Sequence, residues 1–274
     1  MHDTARRTMP TGISSLDAVM EGGMPPGSLI LLLGDIGGGN NEFVYSSIML
    51  LSVMKQKPAG EDFLLPEEID YITFTKGRSD ILEEMKRSFN PDLTQALGDV
   101  KFKDLSQIYF DSSIIPLEWY SDKDIISRLQ SRGGHENILA YLAAQLNTVP
   151  KNSLVVLDSI TDLATQFNKI GKWNDFSAFL RGLQRVAKEW NTTVYLLLTK
   201  GILDAPRELE VADASDAVLF FKWEETTGAR RQRVMYIEKF RGLMPHLEEK
   251  DLVKFAVRIT SAEGFDVSNI RVVI

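Results

Sequence analysis

Gly34-Asp35-Ile36-Gly37-Gly38-Gly39-Asn40-Asn41 follows the apolar run from Ser28 to Leu33 and opens a periodic segment from Phe43 to Met54. An apolar strand, a glycine-rich turn and then a helix is the setting of a phosphate-binding P-loop, written GxxxxGK[ST]. In that loop backbone N–H groups and the helix N-terminus hold the phosphates, the Lys reaches the β and γ oxygens, and the Ser/Thr hydroxyl goes to Mg²⁺. Here the glycines keep their spacing, but Asn40 stands at the Lys position and Asn41 at the Ser/Thr position. Without the Lys, charge-assisted hydrogen bonds of roughly 1.5–3 kcal/mol apiece are gone. Glu42 favours the helix dipole, yet it faces the place a polyphosphate would occupy. The expectation is a phosphate cradle, 34–41, that has lost its cation and its metal ligand.

A chain of 274 residues with 44% hydrophobic content can bury a sizeable core. Its net charge of -7 disfavours a dedicated nucleic-acid binder and suits protein or small-molecule partners. The absence of cysteine excludes disulfides, thiolate catalysis and Cys-type zinc sites. His2, His135 and His246 fall in no metal-ligand spacing, so no metal is expected. No apolar run approaches the roughly 18 residues of a membrane span, and the expected address is cytoplasmic.

Upstream of the loop the chain reads Thr11-Gly12-Ile13-Ser14-Ser15-Leu16-Asp17, then Glu21-Gly22-Gly23-Met24-Pro25-Pro26-Gly27-Ser28. Ser14 is the expected N-cap of a short helix through Met20, stopped by Gly22-Gly23. This long ordered pattern, TGIxxLDxxxxGGxPxGS before a strand and a P-loop, resembles the KaiC-like branch of the RecA superfamily, and the resemblance extends over essentially the whole chain. It implies a single RecA-like α/β domain over residues 1–274, with a mostly parallel sheet flanked by helices and a C-terminal hairpin. It also implies an ATPase ancestry, ring-forming relatives, and sites that can be compared residue by residue.

Ile69 to Thr75 reads as a strand by alternation, followed by Lys76-Gly77-Arg78-Ser79 and an amphipathic helix from Asp80 to Phe89. In KaiC-like ATPases that strand ends in a glutamate pair, one member of which polarises the attacking water; Thr75 and Lys76 occupy the matching positions. Val100 to Phe110 carries a strand and a turn, 111–134 is a polar surface excursion or short helix, and His135 to Leu146 is a helix. Leu154 to Thr161 reads as an apolar strand containing the acid Asp158, with 154–158 in the form of a Walker B element, whose Asp holds the Mg²⁺ shell. Asp158 read without that context caps or bridges strand ends.

Phe176 to Trp190 is expected as a helix and Thr192 to Thr199 as a strand. The loop from Lys200 to Asp213 lies where RecA-type recombinases place a DNA-binding loop. There Asp204, Glu208, Glu210 and Asp213 outnumber Lys200 and Arg207, which disfavours a phosphate backbone. Phe167, Trp173 and Phe176 with Lys169 and Lys172 form a weak candidate for a base-stacking loop, or else a packing surface. The hairpin, 217–241, has strands from Ala217 to Trp223 and Arg231 to Lys239, and ends in Lys239-Phe240-Arg241-Gly242. That ending is similar to the family's KxRG element, whose Lys and Arg reach a neighbouring subunit's nucleotide, so Lys239 and Arg241 are candidate inter-subunit residues. Apart from that resemblance they read as ordinary solvated charges. Phe255 to Thr260 and Phe265 to Ile274 are expected to be terminal strands.

With the P-loop Lys, the P-loop Ser/Thr and the glutamate pair all replaced, the expectation is an inactive ATPase homologue without a cofactor. Its role would be regulatory or scaffolding, in signalling or assembly, through a protein or peptide partner. The alternatives are a nucleotide-binding switch, held by the backbone of Gly37 to Asn41 with Asp158, and an accessory factor in DNA repair or recombination. Homo-oligomers remain open.

Overall fold

The computed structural model describes residues 7–56, 63–111, 113–120, 137–226 and 230–269. Leu29–Gly34 (β1) lies within a nine-stranded sheet ordered β3-β2-β4-β5-β1-β6-β7-β8-β9. The other strands are β2 (Ile69–Thr73), β3 (Val100–Asp104), β4 (Leu154–Asp158), β5 (Thr193–Thr199), β6 (Ala217–Thr226), β7 (Arg230–Phe240), β8 (Lys254–Thr260) and β9 (Gly264–Asn269), and β1 pairs with β5 and β6. Pairing is parallel from β3 across to β6 and antiparallel from β6 to β9. Strands buried on both faces read as unbroken apolar runs, which is why Leu29 to Leu33 and Leu154 to Leu157 show no polar alternation. The fold is the expected RecA-like α/β arrangement with a C-terminal antiparallel wing.

Successive residues of β1 divide between two cores. Ile30 and Leu32 join Phe43, Ile48 and Met49 of α2 (Asn40–Lys55), together with Phe255 and Phe265 of the wing. Leu29, Leu31 and Leu33 join α6 (Ile138–Leu146), α7 (Ile160–Lys169), α8 (Trp173–Trp190) and α9 (Ala205–Ala214) on the other face. The smaller helices α1 (Ser14–Val19), α3 (Arg78–Ser88), α4 (Pro91–Thr94), α5 (Ser106–Asp111) and α10 (Met244–Glu249) complete the set among the described residues. Phe43, fully buried near the start of α2, packs against Tyr195, Phe221 and Phe265 with ring centroids 5.9, 5.4 and 5.4 Å away. One aromatic cluster therefore anchors the helix behind the glycine turn to β5, β6 and β9 together.

The TGIxxLD stretch is a clasp built on Asp17. Its carboxylate accepts Thr11 N–H and Thr11 Oγ1 at 2.7 Å each and Gly12 N–H at 3.1 Å. Burial raises this carboxyl above its ordinary value, and the three hydrogen bonds offset only part of that rise. Gly12, at φ +83°, also lies where a Cβ would sit 3.0 Å from Leu50 Cβ, so the clasp lies close on α2.

Several expected boundaries moved. The cap of α1 is Ile13, with no side-chain hydrogen bond, and Ser14 is already helical. The strand expected to run to Thr161 stops at Asp158, and Ile160 starts α7, whose buried Ile160, Leu163, Ala164 and Phe167 follow helical spacing. Most of the supposed loop from Lys200 to Asp213 is α9, with Asp204 as N-cap accepting Arg207 N–H and Pro206 in its first turn. The stacking-loop candidate dissolves too: Phe167 and Phe176 are core residues, and Trp173 donates its indole N–H to Glu210 at 2.6 Å. The hairpin turn at 227–229, part of the polar stretch 111–134, and the tail beyond Asn269 lie outside the described residues.

Candidate functional site

The glycine turn has the shape of a phosphate cradle. Gly37 and Gly39 adopt φ of 73° and 114°, backbone that favours glycine. Gly38 is required by space, because a Cβ there would meet Phe221 O at 2.6 Å, and Asp35 N–H donates to that same carbonyl at 2.9 Å. Gly39 offers no capping side chain, and Phe43 is the first residue of α2 whose N–H finds a backbone acceptor, Gly39 O at 2.9 Å. The N–H groups ahead of it form the open, positive end of a 16-residue helix. Asn40 turns back onto β1, so that a Cβ at Gly34 would sit 2.6 Å from its Cγ. Asn41 and Glu42 are half-buried in the first turn of α2.

Asp158 ends β4 facing the same side as α2, paired in register with Thr73 of β2. It is almost fully buried, and Tyr71 Oη donates to Asp158 Oδ2 at 2.5 Å. Burial pushes the Asp158 carboxyl up; the Tyr71 hydroxyl and the Lys76 ammonium oppose this, while Glu84 and Asp162 reinforce it. Tyr45, on α2, brings its ring to 6.4 Å from Tyr71, and its buried hydroxyl makes no hydrogen bond of normal geometry, although Tyr71 and Glu84 face it. Two tyrosines thus wall the acid from the α2 side.

Thr75 and Lys76, the positions matched by resemblance to a glutamate pair, each turn to an acid. Thr75 Oγ1 donates to Asp162 at 3.4 Å, where Ser159 Oγ also donates at 3.3 Å. Lys76 Nζ pairs with Glu84 of α3 at 3.1 Å, both partners being more than a third exposed. Burial pushes the Asp162 carboxyl up, against the two hydroxyls and Lys76.

On the opposite flank of β1 from β4 and β5, the β6–β7 hairpin leans on the glycine turn. Arg233 Nε donates to Gly37 O at 3.0 Å, and its guanidinium carbon lies 4.4 Å from the Trp223 ring centre, with that of Arg231 at 5.1 Å. Lys239 and Arg241, by contrast, point to the other end of the sheet. Lys239 Nζ donates to the carbonyls of Ala212 and Asp213 at 2.9 and 3.0 Å, and Arg241 to Asp213 O at 3.1 Å, so both cap the C-terminal end of α9.

Sequence reasoning located the cradle, Asp158 and the Thr75–Lys76 pair, and missed Tyr45, Tyr71, Glu84, Asp162, Trp223, Arg231 and Arg233. The missed side chains come from separate elements, and only the topology brings them to one edge of the sheet. Glu84 carried a partial signal, lying on the amphipathic helix that follows Lys76.

A parallel sheet with a glycine cradle after its first strand and a buried acid at the end of β4 defines a RecA-like P-loop protein. The model of the KaiC ATPase family matches residues 9–269, and the chain belongs to that family. Among solved structures it is similar to the KaiC-like protein PH0186 from the hyperthermophilic archaeon Pyrococcus horikoshii OT3, at 19% identity and a TM-score of 0.62. That match covers 96% of this chain and 99% of the other, and it is a likeness of fold. No curated protein sequence matches the chain.

Proposed function

We propose that this chain is a KaiC-family module that has given up ATP hydrolysis and acts as a regulatory or scaffolding protein through protein or peptide contacts. The observation that carries this reading is the state of Asp158. A metal-anchoring acid has to present its carboxylate to a hydrated Mg²⁺; here it is buried against Tyr71, with Tyr45 alongside. Asn41 offers an amide where a hydroxyl would complete the metal's shell, and Asn40 brings no charge to the phosphates. Thr75 donates to an acid and Lys76 is a cation, so neither can accept a proton from water. These residues do not fit a magnesium-bound triphosphate poised for hydrolysis. The test is turnover: purified chain with ATP and Mg²⁺ is expected to release phosphate no faster than its Asp158→Asn variant, and a rate abolished by that substitution would refute the proposal.

A second reading, a nucleotide-responsive switch, is favoured by the intact backbone cradle of Gly37 to Asn41. It predicts a melting temperature that rises with ATP concentration; no rise at millimolar ATP counts against it. A role as a DNA accessory factor finds less support, because most of the stretch expected as a DNA-binding loop is helix α9, in which Glu208, Glu210 and Asp213 outnumber Arg207. Absence of salt-sensitive binding to single strands would dispose of it.

A further inference from the structure

We propose that Arg231 and Arg233, held by Trp223 at the rim of the glycine turn, form a cation subsite that lets this chain take a pyrophosphate group without divalent metal. The inference rests on the second reading above, that the cradle stays open to a ligand.

The argument is one of charge and place. A bound diphosphate carries about three negative charges, which a P-loop protein ordinarily meets with its lysine and a magnesium ion. At the cradle this chain carries Asn40 and Asn41 instead, with Glu42 adding a negative charge in the first turn of α2. On the β4 side of the loop the acid is closed off by Tyr71. The other side is different: β6 lies next to β1 away from β4 and β5, and continues past the turn with β7 paired to it. There Arg233 is tied through Nε to Gly37 O, which fixes the side chain against the turn and leaves its two terminal nitrogens, with four of the guanidinium's five N–H donors, to another acceptor. Trp223, opposite Arg233 in the strand register, holds both guanidinium groups against its ring. Among the described residues neither arginine makes an ion pair, although Glu225 stands opposite Arg231 in the register. Arg233, tied to the turn, and Arg231, stacked on the same ring, thus place two positive charges beside the unpaired N–H groups of the first turn of α2, in a chain of net charge -7. Their chemistry suits a phosphate oxygen approached by a planar fork.

The shared ligand chemistry is the pyrophosphate moiety, present in nucleoside diphosphates and triphosphates and in inorganic pyrophosphate. Calorimetric titration of the full chain with ADP, ATP and inorganic pyrophosphate, each in EDTA and again with Mg²⁺, tests the inference and separates the sources. The expected result is binding in EDTA that is at least as tight as with Mg²⁺; inorganic pyrophosphate matching ADP would place recognition in the phosphates alone. Arg233→Ala is expected to weaken binding at least tenfold, and Arg233→Gln, which keeps a donor for Gly37 O without the charge, to do the same while preserving the fold. Arg185→Ala, an exposed arginine on α8, serves as the control. Binding that requires Mg²⁺, or that survives both Arg233 substitutions unchanged, overturns the subsite. Failure of all three ligands to bind overturns it too, and leaves the non-hydrolysing reading standing, since that reading falls only to measured turnover.

Discussion

Replacing Asp158 by Asn is expected to make the protein more stable at neutral pH, because burial raises this carboxyl and so penalises its ionised form. The acid is buried on the α2 side of the sheet, and burial is the largest influence on its carboxyl, raising it above the ordinary 3.8; Tyr71 and Lys76 recover only part of that cost. Glu84 and Asp162 face it with like charge. Each unit of such a rise corresponds to about 1.4 kcal/mol of penalty on the ionised form. Asparagine removes the charge and keeps an oxygen to accept the Tyr71 hydroxyl, so the penalty disappears while the hydrogen bond persists. In a chain of this size each kcal/mol gained raises the melting temperature by about 2 °C, so the variant is expected to melt higher than its parent at pH 7.

The pH dependence fixes the sign independently. Because folding raises the carboxyl, the folded chain binds more protons than the unfolded chain between 3.8 and the higher folded value. Stability from this group is therefore fully present below the lower limit and is lost as pH rises through the upper one. The advantage of the Asn variant should be complete at pH 7 and shrink as the pH falls through that window. Urea melts of both proteins between pH 4 and 7 measure it. A variant no more stable than its parent at pH 7, or a gap that widens toward acid, would refute the reasoning. Asp158→Ala is the companion measurement: it strips the acceptor from the fully buried Tyr71 hydroxyl and is expected to cost about 2 kcal/mol.

Asp17→Asn should behave in the opposite way to Asp158→Asn, because Asp17 accepts three donors and an amide can satisfy only part of that set; a loss of about 2–3 kcal/mol in a urea melt is expected. Gly38→Ala forces a methyl to within 2.6 Å of Phe221 O and should cost about 2 kcal/mol by pulling the glycine turn off β6, read by thermal melting. Lys239→Ala and Arg241→Ala each remove a cap from α9 and should cost about 0.5–1 kcal/mol. If either also lowers the mass measured by light scattering, it acts between subunits as well.

Much of the fold was readable because its parallel strands are buried on both faces and announce themselves as apolar runs broken by glycine. The errors arose where one local signal hid another. After Asp158 come Ser159 and the β-branched Ile160 and Thr161, which suit a strand end as well as a helix start; yet Ile160, Leu163, Ala164 and Phe167 have helical spacing. From Lys200 to Asp213 the count of acids drew attention away from Asp204 and Pro206, which mark a helix start. In β2, read as a strand in which Asp70, Ile72 and Phe74 alternate with Tyr71, Thr73 and Thr75, every residue from Ile69 to Thr73 is buried, the polar ones included. Asp70 lies 2.9 Å from the ammonium of Lys103 of β3, a counter-charge that only strand pairing supplies, although the pair lacks the geometry of a hydrogen bond.

The candidate site was legible to the extent that it is local. Six of its positions lie in one octapeptide, and a template of spacing is enough to see that Asn40 and Asn41 break it. What surrounds Asp158 is not local: Tyr45, Tyr71, Lys76, Glu84 and Asp162 arrive from α2, β2, the β2–α3 turn, α3 and α7. The same holds on the other flank, where Trp223, Arg231 and Arg233 meet Gly37 through the pairing of β6 with β7. Substitutions in the loop alone describe a loss. On the proposed reading the tyrosines and the arginines describe a redistribution: the Asp158 side of the cradle is walled by Tyr71 and Tyr45, and the hairpin side carries Arg231 and Arg233 stacked on Trp223. A chain that had only decayed would have no reason to hold Asp158 at a cost in stability, and the gain expected from Asp158→Asn is therefore also a measure of how much that arrangement is worth keeping.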